Sequence, residues 1–317
     1  MILNGERRFN RALYGTNTGF RVETGDLPEF AMYLRGMGGN FKLGLVSADT
    51  SLWLTSAEQI TARYRAGSML YEVRDPLLGN GVLHLRVLAL AGGEGMVVHA
   101  RANGVPGDVT LLWAYGGASG KHFSREGDLG ADPESSFDLK PEYCAGNRFE
   151  TDENTFTLAF TSVRSGMEEQ IFGLVPPGGV VEICDAGEQV SPHALLRSGP
   201  SEKPVIAGSL DISERADLYF VLSRETRFSP GDYAKAAGIY ESAEQARATL
   251  AGRIRVHTPD DYINNYGPAL SVAADAIWEE PSYLHGAVAW RRRLQGWRGA
   301  YAGDWLGWHD RARKHFE

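Results

Sequence analysis

The 317-residue sequence is poor in the features that would settle its class at once. It holds two cysteines, Cys144 and Cys184, too few for a disulfide framework and without the companion ligands of a zinc site. Two buried thiols are expected, with a single Cys144–Cys184 bridge as the alternative. No stretch approaches the roughly 20 consecutive apolar residues of a membrane-spanning helix, and residues 1–11 lack the apolar core of an export leader, so no membrane partner is expected. Composition leaves the compartment open. Positive charge is also scarce: 32 Lys and Arg against 40 Asp and Glu give a net charge of -8. That argues against a nucleic-acid partner, and none is expected, because phosphate backbones need a dense basic face. The basic run Arg291, Arg292 and Arg293 reads as a solvated or carboxylate-paired helix face.

Familiar catalytic motifs are missing too. The eight histidines are scattered and make no H-E-x-x-H pair, so no metal site is expected. Gly116-Gly117-Ala118-Ser119-Gly120-Lys121 is not a phosphate loop: Tyr115 stands where that spacing needs glycine, and His122 where it needs Ser or Thr. Gly36-Met37-Gly38-Gly39 lacks the strand, helix and acidic spacing of a dinucleotide site and reads as a plain turn. The serine elbow G-x-S-x-G is absent. Nothing calls for a cofactor.

What the chain does have is turn signals between short apolar runs. Its 38 glycines, against 14 prolines, fall singly or in pairs at such positions. Leu83, Leu85, Val87 and Ala89 alternate with His84, Arg86 and Leu88, the period of a strand with one buried face. Asn80-Gly81 before them suggests a tight hairpin from 71–74. Met96 begins a further strand ended by Asn103-Gly104, and Val109, Leu111, Trp113 and Tyr115 alternate again. Other strands are expected at 155–162, 170–175, 180–184, 205–212 and 218–223. Many short strands with little helical periodicity imply a large antiparallel sandwich over residues 1–228. Within it, 116–148 is long, polar and glycine-rich, an excursion expected to cover a neighbouring surface.

Near Ser229-Pro230 the period becomes helical. Ala236, Tyr240, Ala243 and Leu250 share one face of a helix over about 232–252, so 229–256 reads as a linker helix. Thr258-Pro259-Asp260-Asp261 starts another, with Thr258 expected as the cap. Tyr266, Leu270, Ala273 and Ile277 line its face, with a kink or restart at Gly267-Pro268. Two such helices cannot complete a helical domain, so their apolar faces require further partners.

The final forty residues carry five of the seven tryptophans, Trp278, Trp290, Trp297, Trp305 and Trp308, beside Arg298, Tyr301, Asp304, His309 and Asp310. Indole faces stack on the C–H bonds of sugar rings, while charged and amide groups bind hydroxyls. Carbohydrate contacts are therefore expected from Trp290, Trp297, Arg298, Tyr301, Trp305, Trp308 and His309. The glycines at 296, 299, 303 and 307 argue for a loop until a helix begins near Trp305 or Leu306. Glycoside hydrolysis needs two carboxyl groups, about 5–5.5 Å apart for retention or roughly 6.5–9.5 Å for inversion. Asp304 and Asp310 are the candidate catalytic pair, Asp304 first as acid or base. Glu279 and Glu280 are further carboxylates of unassigned role. The opposing expectation is that these rings merely pack the join between sandwich and helices.

Asn4-Gly5-Glu6-Arg7-Arg8-Phe9-Asn10-Arg11-Ala12-Leu13-Tyr14-Gly15 and Gly19-Phe20-Arg21-Val22-Glu23-Thr24-Gly25-Asp26-Leu27-Pro28-Glu29-Phe30 resemble a Bacteroidetes-type family of unknown function related to six-hairpin glycosidases. Leu284-His285-Gly286, Trp290-Arg291 and Gly296-Trp297-Arg298 fit the same pattern, so the likeness spans the chain. The resemblance implies an N-terminal β-super-sandwich, a linker helix and an (α/α)6 toroid that holds the active site. Residues 257–317 would be the start of that toroid. Family members are longer, so a C-terminal helical domain of the same polypeptide is an expected partner, with a periplasmic or extracellular setting. The resemblance supplies no catalytic residues. The expected function is the front portion of a glycoside hydrolase acting on polysaccharide or oligosaccharide; a non-catalytic sandwich binding carbohydrate or protein through its sheet face or its 116–148 excursion is the alternative.

Overall fold

The computed structural model describes the chain except residues 1, 4, 49, 121, 129, 214–216, 289 and 294–296, and the side chains of 2, 3 and 297. The fold is mainly β, with two large antiparallel sheets. One has nine strands in the order Ile2–Leu3, Gln59–Arg65, Ser68–Arg74, Val82–Ala89, Gly95–Asn103, Leu218–Ser223, Glu168–Leu174, Thr155–Thr161 and Arg148–Asp152. The other runs Val180–Asp185, Pro204–Asp211, Thr110–Gly116, Met37–Ser47, Glu29–Leu34, Phe20–Thr24 and Arg11–Leu13, with Thr50–Trp53 also paired to Met37–Ser47.

Alternation along each strand makes the core. Leu83, Leu85 and Val87 point inward from the first sheet, and Phe20, Val22, Phe41 and Leu43 from the second, into one continuous cluster. Rings interlock across it: Phe41 and Phe220 lie 5.4 Å apart, Phe30 and Tyr71 5.8 Å, and Trp113 stacks on Phe156 at 5.9 Å. Thr110–Gly116 is buried on both faces. Leu111, Trp113 and Tyr115 face the shared core, whereas Leu112 and Ala114 join a second cluster on the outside of the sheet. Cys144 and Cys184 sit in that second cluster as unpaired buried thiols. Burial pushes them up to about 12 and about 11, because a thiolate is poorly solvated there.

The excursion leaves Thr110–Gly116, crosses the outside of the second sheet and ends at the edge strand of the first. It contains a short helix, α1 (Pro141–Cys144). Phe137 packs with Phe9, Ala31, Tyr33 and Met37, so the segment covers a sheet face, as its length and polarity suggest. A second short helix, α2 (Pro192–Arg197), is capped by the Ser191 hydroxyl, which accepts from Ala194 N–H. A 3-10 turn, Pro230–Lys235, leads into α3 (Ala236–Ala251). Ala236 and Ala243 are buried against Leu88, Val97 and Val221 on the outer side of the first sheet. Arg65 forks onto Glu244 at 2.9 and 2.7 Å, and Arg247 donates to the Ala66 carbonyl at 2.8 Å, which fixes the helix to a strand end.

Helix α4 (Asp261–Ala276) starts two residues later than the sequence suggests. The Asp260 carboxylate caps it by accepting from Tyr262 and Ile263 N–H, while Thr258 is tied to Asn264. Pro268 lies inside the helix without ending it. Most of the expected apolar face is turned outward: Tyr266 and Leu270 are 64 and 43% exposed and Ala273 is exposed, whereas Ile277 packs against the Trp278 and Tyr283 cluster; Tyr262, 68% exposed, adds to the outward surface. The chain then forms a small hairpin, Trp278–Glu279 with Ser282–Tyr283, followed by α5 (Trp297–Trp305) and α6 (His309–Phe316).

Helix α5 corrects the expectation of a loop through 305. A Cβ on Gly299 would stand 2.5 Å from the Tyr283 Cβ, and one on Gly303 1.8 Å from the Tyr283 hydroxyl oxygen. These glycines, four residues apart, let the helix pack directly on a buried ring, and tertiary contact outweighs their poor helix propensity. Two turn readings shift as well. The connection after Ser68–Arg74 contains a 3-10 turn, Pro76–Leu78, so Asn80-Gly81 is not a two-residue hairpin loop. The reversal near Gly36 falls at Arg35 and Gly36, while Gly38 and Gly39 already belong to Met37–Ser47. The Tyr115 ring occupies the space a side chain at Gly39 would need, and its hydroxyl donates to the Gly38 carbonyl at 2.5 Å. Among the described residues no helix is long and apolar enough to cross a membrane.

Candidate functional site

The outward face of Phe20–Thr24 is polar. Arg21 is wholly buried there, paired with Glu23, and its guanidinium lies 3.8 Å from the Tyr33 ring centroid. A buried cation needs all its partners, and the excursion supplies one: the Glu126 carbonyl accepts from Arg21 Nη2 at 2.6 Å. Tyr33 donates its hydroxyl to the Glu126 carboxylate, and Arg164 approaches that carboxylate to 4.0 Å. Burial and the neighbouring Glu126 push the Tyr33 hydroxyl up, so it stays a donor.

Asp132 shapes the loop from within. Its carboxylate accepts Ser124 N–H at 2.9 Å, Ser124 O–H at 2.8 Å, Arg125 N–H at 2.8 Å and Gly127 N–H at 3.0 Å. Burial alone would raise its pKa, but these donors together outweigh that effect and hold it below the usual carboxylate range. The loop so formed presents Arg125 and Glu126 outward.

Across from it stands Trp290. The backbone around it closes through an antiparallel bridge between Leu284 and Arg293, and His285 N–H donates to the Arg292 carbonyl at 2.9 Å. Arg291 is anchored by Glu279 at 2.7 Å, and Glu279 also receives both hydrogen bonds from Arg35, at 2.9 and 2.8 Å. Burial opposes ionisation of Glu279, yet the two guanidiniums hold its pKa down. Thus Arg291 is carboxylate-paired as expected, though it is not on a helix.

Ser124, Arg125, Glu126, Trp290, Arg291 and Arg292 together line a cleft of about 540 Å3. Trp290 is 59% exposed, with the Arg125 guanidinium 5.5 Å from its ring centroid and His285 edge-on at 6.0 Å. Glu126 is also a wall of a smaller adjoining cleft of about 240 Å3, shared with Tyr33, Arg35 and Arg164. Arg35, Glu126 and Trp290 have φ of 55, 60 and 60°, three of the four left-handed non-glycine residues described. Such conformations cost about 1 kcal/mol or more each and gather where a surface is held ready for a ligand. A larger cleft of about 700 Å3 beside α3 is lined by groups such as Leu90, Val221, Phe228 and Ile239. Its Glu225 carboxylate is engaged by the Glu94 N–H at 3.1 and 3.0 Å, and its Lys235 by Asp232 at 2.7 Å.

The other expected site residues fall outside the Trp290 cleft. His309, the first residue of α6, and Asp304, in the last turn of α5, pair at 2.5 Å across the turn between the helices, both well exposed. Asp310 pairs with Arg313 at 3.3 Å. Trp305 is 90% exposed and Tyr301 58%, while Arg298 is exposed at the start of α5. Trp308 is half-buried between the guanidiniums of Arg253 and Arg311, 4.8 and 4.6 Å from its ring centroid. The Trp297 side chain and Gly296 lie outside the described residues. Trp278 is a packing residue, 4% exposed and edge-on to Tyr283. Among the described residues no group of three His, Cys, Asp or Glu could hold a metal ion.

The family described as a domain of unknown function (DUF4450) matches residues 34–244. No curated protein sequence matches the chain. Among solved structures, the chain is similar to a bacterial glucoamylase complexed with acarbose, with a TM-score of 0.52 and 8% identity over 99% of this chain and 52% of that one. It is also similar to an inverting GH92 mannosidase from Bacteroides thetaiotaomicron, with a TM-score of 0.47 and 9% identity over 85% of this chain and 37% of that one. A GH92-family glycosyl hydrolase gives 0.47 and 11% identity over 93% and 43%. The glucoamylase likeness is one of fold, and the chain spans about half the length of that protein.

Proposed function

The chain belongs to the DUF4450 family of domains of unknown function, and from that premise we propose that it is the front portion of a glycoside hydrolase acting on oligosaccharide or polysaccharide. Residues 1–228 form the bracing sandwich, 229–256 the linker, and 257–317 the first helices of a toroidal catalytic domain. The observation that carries the reading is the Trp290 cleft: a largely exposed indole beside guanidinium and carboxylate groups, on backbone held in a left-handed conformation. A sugar ring stacks on Trp290 while its hydroxyls bind Arg125, Glu126 and Arg292. The outward apolar face of α4 supports docking of further helices. In the assembled site Asp304, oriented by His309, is the acid or base, with Asp310 as its partner carboxylate. Trp305 extends the stacking surface and Arg298 and Tyr301 bind hydroxyls, whereas Trp308, held between Arg253 and Arg311, braces the turn beneath them.

Trp290→Ala is expected to weaken binding of a panel of plant and microbial oligosaccharides about tenfold, roughly 1.4 kcal/mol, in titration calorimetry, without lowering thermal stability. Unchanged binding would remove Trp290 from the site. A second reading, a non-catalytic carbohydrate-binding sandwich, is favoured by the fact that Ser124, Arg125 and Glu126 of the excursion form half of the cleft lining. It requires Arg125 and Trp290 for binding and predicts no reducing ends released by the polypeptide including its further helices. The hydrolase reading predicts their release, and its loss in Asp304→Asn.

A further inference from the structure

The cleft's charge is out of keeping with the molecule around it. The chain carries a net charge of -8, yet the cleft is lined by three arginines and one carboxylate. The arginines are not equivalent. Arg291 is almost buried, with a side chain 4% exposed, and is engaged by Glu279 at 2.7 Å and by the carbonyls of Ala276 and Ala287. Arg125 is paired with Asp128 at 3.1 Å on one side and faces the Trp290 ring on the other. Arg292 is exposed, and among the described residues no carboxylate pairs with its guanidinium. Its backbone is nevertheless fixed, since its N–H donates to the Trp290 carbonyl at 2.6 Å and its carbonyl accepts from His285. The single carboxylate, Glu126, is compensated by the Tyr33 hydroxyl and by Arg164.

Resting on the reading of this cleft as a sugar site, we infer that its ligand is an acidic sugar, a hexuronate unit whose ring stacks on Trp290 and whose carboxylate is taken by Arg292 with Arg125 beside it. The planar guanidinium fork matches a carboxylate in two parallel hydrogen bonds. A neutral sugar offers that fork only hydroxyl oxygens, which accept single hydrogen bonds without the opposite charge or the second parallel bond. Desolvation by the indole strengthens the ion pair relative to one on open surface.

The test uses the 317-residue chain and oligosaccharides of galacturonate, glucuronate and mannuronate, each beside its carboxyl-reduced neutral counterpart. At least one uronate is expected to bind about tenfold more tightly than its reduced form. That preference shrinks with added salt, disappears in Arg292→Gln and is partly restored in Arg292→Lys, which keeps the charge and loses the fork. Arg292 is exposed, so both variants are expected to fold, and their melting temperatures verify it. If neutral and acidic forms bind equally, and both depend on Trp290, the acidic-sugar inference is overturned while the sugar site stands. If sulfated neutral sugars bind in place of uronates, the carboxylate assignment is overturned. If no saccharide of either kind binds, the site itself falls.

Discussion

Arg21→Met is expected to lower the unfolding free energy by about 3–5 kcal/mol, the usual cost of leaving one member of a buried ion pair behind. Arg21 is 0% exposed and Glu23 6%, so the orphaned carboxylate must ionise in the interior or take up a proton. The substitution also removes the donor to the Glu126 carbonyl and the cation above the Tyr33 ring. Chemical unfolding of three proteins decides the matter. The single variant should be strongly destabilised, whereas Arg21→Met with Glu23→Leu should recover much of the loss, because an apolar pair of similar volume no longer has charge to desolvate. Saccharide binding should fall in both, since neither holds Glu126 in place. A single variant as stable as the parent would show that Arg21 is not the brace described above.

Asp132→Ala comes next, with an expected loss of about 3 kcal/mol, because it strands Ser124, Arg125 and Gly127 N–H groups that share the two oxygens of this one carboxylate. Its effect on the cleft should exceed its effect on the core, since the loop it organises carries Arg125. Amide exchange at 125 and 127 should accelerate far more than in the strand Val82–Ala89. The same group sets an acid limit. Its folded pKa is depressed, so its contribution is fully present above its unfolded value, about 4, and is lost as the pH falls through the folded value. Loop protection in the parent should therefore decline below about pH 4, and Asp132→Asn should not show that step. Exchange that is flat through this range in the parent would refute the assignment.

Much of the sandwich was legible because a strand with one buried face writes its burial directly into alternate residues, as Leu83, Leu85 and Val87 do. The outward face of α4 was legible for the same reason, since Tyr266 and Leu270 lie one turn apart. Helix α5 was not, because the reason Gly299 and Gly303 are tolerated is a ring at Tyr283. The cap at Asp260 was missed where Thr258 offered an equally good local signal and a tertiary partner, Asn264, claimed it.

The cleft was half visible. Trp290 stood out as one of five tryptophans crowded into the last forty residues, but Arg125 and Glu126 lie far from it in sequence, and no local pattern links them. The length of the 116–148 segment was the available signal. Arg292 was hidden inside a run that looked like ordinary solvated charge, because separating it from Arg291 requires knowing that Glu279 takes the one and not the other. The left-handed backbone at Glu126 and Trp290 has no glycine to advertise it.

The strand Thr110–Gly116 is closed in on both sides, yet the segment that follows it travels over the outside of its own sheet before starting the edge hairpin of the other. Under the sugar-site reading proposed above, the half of the cleft that this segment carries, Ser124, Arg125 and Glu126, can vary while Phe137 and Cys144 stay anchored and the strands beneath keep their register, so ligand preference can drift at little cost to folding.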